Sequence, residues 1–297
     1  MLKIAIPDMV SPSYFPVVAA ASLGLFAQEG LEADVELVYP LSEAYRQLRA
    51  GQIDYVGGAA HGPLYEPGGW ENCPLICAIS RGMYWFLVLR SDLHARRGDL
   101  DAVRGLRIGA APGPREGLVA MLADGGIDAA TDLHLVSVPG SNLPGASFGL
   151  AAATALADGR LDGFWANGMA ARIAELDGVG TVLLDARRET PHGRRTDYTF
   201  AAVGTTAERV RDRPGEVARA RSAVISAQEV LRRDPSLAAE AARGRFGDRE
   251  RELIQELIRT DAPFYDPDIT APMKSALADF GRSLGLPGAE PKRSGHS

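Results

Sequence analysis

One unit occurs twice in this chain, and that repetition narrows the possible folds more than any other feature. The first copy opens Lys3-Ile4-Ala5-Ile6-Pro7 and closes Ala50-Gly51-Gln52-Ile53-Asp54-Tyr55-Val56. The second opens Arg107-Ile108-Gly109-Ala110-Ala111-Pro112 and closes Asp158-Gly159-Arg160-Leu161-Asp162-Gly163-Phe164. Each reads as strand, loop, apolar helix, Gly-led strand, second helix, then a Gly-x-(Ile/Leu)-Asp step into a third strand, with residues 30–35 and 126–133 corresponding in the middle. A repeated supersecondary unit implies a repeated architecture. Two βαβαβ halves predict an α/β chain of two Rossmann-like lobes with a cleft between them.

Local signals fill in the rest. Pro16 suits a first helical residue, where its missing N–H is no loss, and residues 17–28 then read as one largely buried helix stopped by Gly30. Residues 32–38 alternate as a strand, Ser42 is placed to cap a helix ending at Arg49, and residues 53–56 run as a strand into Gly57-Gly58-Ala59-Ala60-His61-Gly62. Residues 75–79 and 84–89 are strongly apolar strands, the second leading out of the first lobe, and residues 198–203 read as the strand that returns. Helices follow at 206–213, 215–232, 236–244, 248–260 and 271–284. The expected layout is a first lobe of residues 1–90 plus 205–286, carrying the helical C-terminal segment. A second lobe spans 91–204 and includes the return hinge strand, and 287–297 form a disordered tail. Crossings near 82–92 and 196–205 make a two-strand hinge.

Composition removes several classes of function. At 297 residues there is room for two cores, and a net charge of −6 with pI near 5.5 gives no reason to expect nucleic acid as a partner. No apolar run is long enough for membrane insertion. Nothing before the first strand resembles a leader, so the sequence as it stands reads as cytoplasmic, or as extracytoplasmic if a leader has been removed. Lys3, Lys274 and Lys292 are the only lysines, and none follows a cleft-facing strand, which disfavours Schiff-base chemistry. Cys73 and Cys77 are four apart in a strand-like segment, roughly 13 Å in extended chain, so they read as reduced, buried and inert. The five histidines share no metal-ligand spacing, and no phosphate loop or dinucleotide fingerprint is present, so neither metal nor cofactor is expected.

In open α/β sheets ligands bind beyond the carboxyl ends of the strands, where helix N-termini also point. In the first lobe this selects Ser11, Ser13, Tyr14, Ser42, Gly58, Ala59 and His61; in the second it selects Arg115, Ser141, Asn142, Trp165 and Asn167. Arg115 lies in a Pro-Gly-Pro-Arg-Glu-Gly turn at a helix start and suits an anion clamp, or else a solvated pair with Glu116. His61 sits among small residues that a ligand could approach, or else is a turn histidine bonded to backbone. Arg81 is a weaker candidate cation. Gly145-Ala146-Ser147-Phe148-Gly149 matches a nucleophile-elbow pattern, but no strand runs directly into it, so Ser147 is read as a helix N-cap.

Three stretches carry a family resemblance: residues 13–31, with Gly24-Leu25-Phe26-Ala27-Gln28-Glu29-Gly30-Leu31; residues 48–58; and Leu106-Arg107-Ile108-Gly109. Over roughly the first 205 residues the chain resembles the solute-binding proteins of nitrate/sulfonate/taurine-type transporters and the related thiamine-pyrimidine precursor synthases. The resemblance implies a type II periplasmic-binding-protein fold with a small-molecule anion between the lobes and an ABC permease as partner. Gly113-Pro114-Arg115 departs from the family's usual Gly followed by Ser or Thr, and the lysine and cysteine-rich stretch of the precursor synthases have no counterpart. The expected function is binding of a small organic anion, carboxylate or sulfonate, against an aromatic wall for delivery to an ABC-type transporter. The alternative is a cytoplasmic dehydratase or decarboxylase on the same fold, resembling chorismate dehydratase, with His61 moving a proton and Arg115 holding a carboxylate.

Overall fold

The computed structural model describes residues 1–143, 145–189 and 198–289. The first repeat folds as β1 (Leu2–Ile6), α1 (Phe15–Ser22), α2 (Leu25–Gln28), β2 (Ala33–Leu37), α3 (Leu41–Arg49) and β3 (Tyr55–Ala59), followed by α4 (Gly69–Asn72), β4 (Leu75–Ser80) and β5 (Phe86–Arg90). The second folds as β6 (Arg107–Ala110), α5 (Pro114–Asp124), β7 (His134–Val136), α6 (Phe148–Ala157) and β8 (Gly163–Ala166), followed by α7 (Gly168–Leu176), β9 (Gly180–Asp185) and β10 (Ala201–Gly204). The C-terminal helices are α8 (Ala207–Asp212), α9 (Pro214–Arg233), α10 (Leu237–Ala241), α11 (Asp248–Asp261) and α12 (Ala271–Ser283).

These strands make two five-stranded sheets, β2-β1-β3-β10-β4 and β7-β6-β8-β5-β9. β1 runs parallel to β2 and β3, as β6 does to β7 and β8, so the repeat read in the sequence is a repeat in space. Each sheet is completed in the same way: β10 lies antiparallel between β3 and β4, and β5 antiparallel between β8 and β9. The expected two-lobed α/β architecture is therefore present.

Details differ from the sequence reading. The helix expected over 17–28 breaks at Gly24, which takes φ +71° and starts the separate turn α2; glycine enters this region without a Cβ clash. Ser42 is not a cap, because the chain enters α3 through extended Pro40 and leaves Ser42 exposed in the first turn. α7 was not foreseen. β5, placed in the first lobe by a boundary at residue 90, pairs instead with β8 and β9, and β10, placed in the second by a boundary at 204, pairs with β3 and β4. The first crossing is thus residues 81–85; of the second, residues 190–197 lie outside the described residues. Residues 287–289 are a helical turn with Ala289 packed near Leu64, not the start of a disordered tail, and 290–297 lie outside the described residues.

The C-terminal helices pack on the first lobe. Ala220, Ala223, Val224, Ala227 and Leu231 of α9 share a core with Val17 and Ala20 of α1. Buried Gln228 donates to the carbonyls of Ala78 (3.1 Å) and Ile79 (2.7 Å), fixing α9 to β4. α11 also reaches the second lobe through Arg172–Glu256 (3.1 Å) and Arg249–Asp177 (2.6 Å). Among the described residues no helix is long and apolar enough to cross a membrane.

Candidate functional site

The carboxyl ends of both sheets face a shared, narrow cavity of about 40 Å³. From the first lobe come Pro7, Asp8, Ser11 and Tyr14 after β1, Tyr39 and Leu41 after β2, and Ala59 at the end of β3. Trp85 enters from the crossing. The second lobe gives Ala111, Pro112 and Pro114 after β6, Phe148 at the start of α6, and Trp165, Ala166 and Asn167 at the end of β8. Five helices of at least eight residues begin at this cavity: Tyr14 precedes α1, Leu41 opens α3, Pro114 opens α5, Phe148 opens α6 and Asn167 caps α7.

Aromatic rings form much of the wall. Tyr39 of one lobe stacks on Phe148 of the other, centroids 6.2 Å apart and planes at 25°. Trp85 and Trp165 lie 6.1 Å apart, and the Trp165 indole N–H donates to the Pro114 carbonyl (2.9 Å), which fixes that ring.

Among the described residues that line the cavity Asp8 is the one acidic or basic side chain, and it joins the lobes. Its Oδ1 accepts from the Ser147 hydroxyl (2.9 Å) and the Val10 N–H (3.3 Å), and its Oδ2 accepts from the Asn167 amide (2.6 Å). Both second-lobe donors are helix caps: Ser147 Oγ accepts from Leu150 N–H (3.5 Å), and Asn167 Oδ1 accepts from the N–H groups of Met169 (2.9 Å) and Ala170 (3.2 Å). Each cap serves its helix as acceptor and Asp8 as donor. Burial outweighs these hydrogen bonds and pushes the Asp8 carboxyl up to about 6. Burial likewise raises the phenol pKa of Tyr14 and of Tyr39, the Asp8 charge adding to the rise in both.

Of the residues selected from sequence, Ser11, Tyr14, Ala59, Trp165 and Asn167 line this cavity. Ser13 is buried behind it, its hydroxyl 3.0 Å from that of Ser11. Gly58 lies in β3, where a Cβ would overlap Leu41, so its role is to admit that side chain. Ser141 is buried and donates to the Val138 carbonyl (2.9 Å), while Ser42 and Asn142 are exposed and line no part of the cavity. Arg115 is exposed and also stands outside the cavity. The turn that carries it presents Pro114 inward. His61 is fully buried behind the site: Nδ1 lies 2.9 Å from Thr199 Oγ1, and Tyr65 and Phe280 meet the ring edge-on, at centroid distances of 5.8 and 5.4 Å. Burial pushes its pKa down to about 4, so it is a neutral packed ring. Arg81 pairs with Asp266 outside the cavity.

Asp8, Tyr39 and Phe148 were missed; Leu41, with Ser42, follows a strand in the sequence and so faces the cleft, and Trp85 is the ring of the Tyr84-Trp85 pair that reaches it. Asp8 had a signal: in the repeat it aligns with Pro112, and both positions line the cavity. Ser147 is a cap, as expected. Cys73 and Cys77 are free and buried, and burial pushes the Cys77 thiol up to about 12. Among the described residues no cluster could hold a metal ion.

No family model and no curated protein matches this sequence. Solved structures do match its fold. The alkanesulfonate-binding protein SsuA from Xanthomonas axonopodis pv. citri, bound to MOPS, superposes with a TM-score of 0.72 at 16% identity, covering 98% of this chain and 94% of that one. The periplasmic nitrate-binding protein NrtA from Synechocystis PCC 6803 gives 0.74 at 14% identity, covering 99% and 83%. The desulfurization enzyme DSZB gives 0.62 at 15% identity, covering 99% and 95%. The chain has the two-lobed fold of the sulfonate- and nitrate-type solute-binding proteins, as its sequence resemblance implied.

Proposed function

We propose that this chain is the solute-binding component of an ABC-type importer and holds a small organic anion with an aromatic body between its lobes. The observation that carries the reading is the cavity, to which both lobes and one crossing contribute walls. The cavity is too narrow for such a guest as it stands, so the guest enters when the lobes part. Their closure brings Tyr14, Tyr39, Trp85, Phe148 and Trp165 around it and removes its apolar surface from water. With Arg115 exposed, the groups available to a negative head are the first N–H groups of α3 and the Ser11 hydroxyl. In α1 and α5 the first-turn N–H groups already bond to the carbonyls of Pro12, Tyr14, Ala111 and Gly113 or are missing at Pro16 and Pro114. The named ligands of the sulfonate- and nitrate-binding neighbours support an anionic head.

Two of the three tryptophans line the cavity, so intrinsic fluorescence reports occupancy. Titration with aromatic sulfonates and carboxylates should give a saturable change that Trp85→Phe reduces, and the ligand should be recovered unchanged. No saturable change with any member of such a panel would remove the reading. A chemically altered ligand would favour the enzyme reading, with DSZB as a fold precedent. The proton-moving role would then pass from His61, which lies outside the cavity, to Asp8.

A further inference from the structure

Resting on the cleft-binding reading above, we propose that the ligand carries, besides its anionic head, a hydrogen-bond-donating nitrogen (an amine, an amidine or a protonated ring nitrogen) that meets the Asp8 carboxylate. The site would then take an amphoteric aromatic solute.

Asp8 is buried at the cavity wall and held in one orientation by Ser147, Asn167 and the Val10 N–H. These groups, with the Gly149 N–H beside them, are all neutral, so the carboxylate has hydrogen-bond donors but no opposite charge. Among the described residues no lysine, arginine or histidine lines the cavity to neutralise it. A buried carboxylate without an opposite charge is costly, so the guest that best suits the space beside it is one that brings a positively charged donor. The rings of Trp85, Trp165 and Tyr14 around the same space favour a cation over a second anion. A simple sulfonate or nitrate would meet a negative charge there.

The full chain should be titrated at pH 7.5 with 4-methylbenzenesulfonate, 4-(aminomethyl)benzenesulfonate and benzylamine, following tryptophan fluorescence and calorimetry. The aminomethyl compound is expected to bind at least tenfold more tightly than the methyl compound, and Asp8→Asn, verified as folded by its thermal transition, should erase that preference. Equal affinity of the two sulfonates for the unmodified chain overturns the inference and leaves the cleft-binding reading standing. Binding of benzylamine without either sulfonate supports the Asp8 contact and removes the anionic half of the function. An equal loss for every ligand in Asp8→Asn means that Asp8 serves only to tie the lobes, and overturns the inference. Failure of all three ligands removes the cleft-binding reading and the inference with it.

Discussion

At the scale of single residues, Asp8 carries most of the consequences. Its carboxyl titrates near 6 in the fold against 3.8 as its ordinary value, so the folded state holds the proton more tightly than the unfolded chain. The stability this contributes is complete below pH 4 and is lost as pH rises through about 6. The phenols of Tyr14 and Tyr39, which face Asp8, do not titrate in that window, and Ser147 and Asn167 carry no charge. The difference in urea-unfolding free energy between the unmodified chain and Asp8→Asn should therefore shift against the unmodified chain between pH 4 and 6, then stay level to pH 8. A flat difference across the whole range would contradict the raised carboxyl. Ser147→Ala removes both the α6 cap and a donor to buried Asp8, so a loss of about 1–3 kcal/mol is expected, with Ser147→Thr recovering much of it. The capping role of Ser147 was legible because caps follow local rules. The importance of Asp8 was not, since its partners lie 139 and 159 residues away.

At the scale of elements, the repeat could be read because strand, glycine and helix signals are local. Strand membership could not. Whether β5 belongs to one sheet or the other depends on Leu87 pairing with Trp165 and Leu184, contacts that no short window encodes. α7 was hidden in the same way: its start, Asn167, was read as a polar group facing a ligand rather than as a cap. Two glycines show how elements meet at the crossing over 81–85. A Cβ on Gly168 of α7 would overlap the Tyr84 hydroxyl, and one on Gly117 of α5 would overlap Met83 Sδ. Gly168→Ala should therefore cost about 1–3 kcal/mol through overpacking of buried Tyr84. Gly215→Ala, in the first turn of α9, has only the far end of Arg219 nearby and should instead be neutral or stabilise by up to about 1 kcal/mol. Chemical denaturation of the two variants side by side checks the contrast, and equal effects would mean that the crossing yields to the added methyl group.

For the whole molecule, the placement of the lobes rests on a buried ionic hub where the crossings meet α11. The Arg187 side chain is only 1% exposed; its Nη2 donates to Ser80 Oγ (2.7 Å), and its Nη1 lies 3.5 Å from Asp261 Oδ1. Its guanidinium also sits 4.3 Å from the Tyr84 ring centroid and 4.6 Å from that of Phe264. The same Asp261 oxygen takes Arg188 Nη2 at 2.6 Å, while Arg188 Nη1 holds Asp185 at 2.8 Å. One carboxylate of the C-terminal helices thus anchors two arginines that follow the last strand of the second lobe. Asp261→Asn strands Arg187 as a buried charge, and removing one partner of such a pair costs about 3–5 kcal/mol. Asp266→Asn breaks an ion pair with half-exposed Arg81 and should cost no more than about 1 kcal/mol. Ligand affinity should follow stability here, because a cavity walled by both lobes needs them held in register. Asp261→Asn is expected to weaken binding in the fluorescence titration, while Asp266→Asn leaves it unchanged. If the two variants match in both unfolding free energy and affinity, the hub does not set the lobe arrangement, and the Asp8 bridge across the cavity must hold it alone.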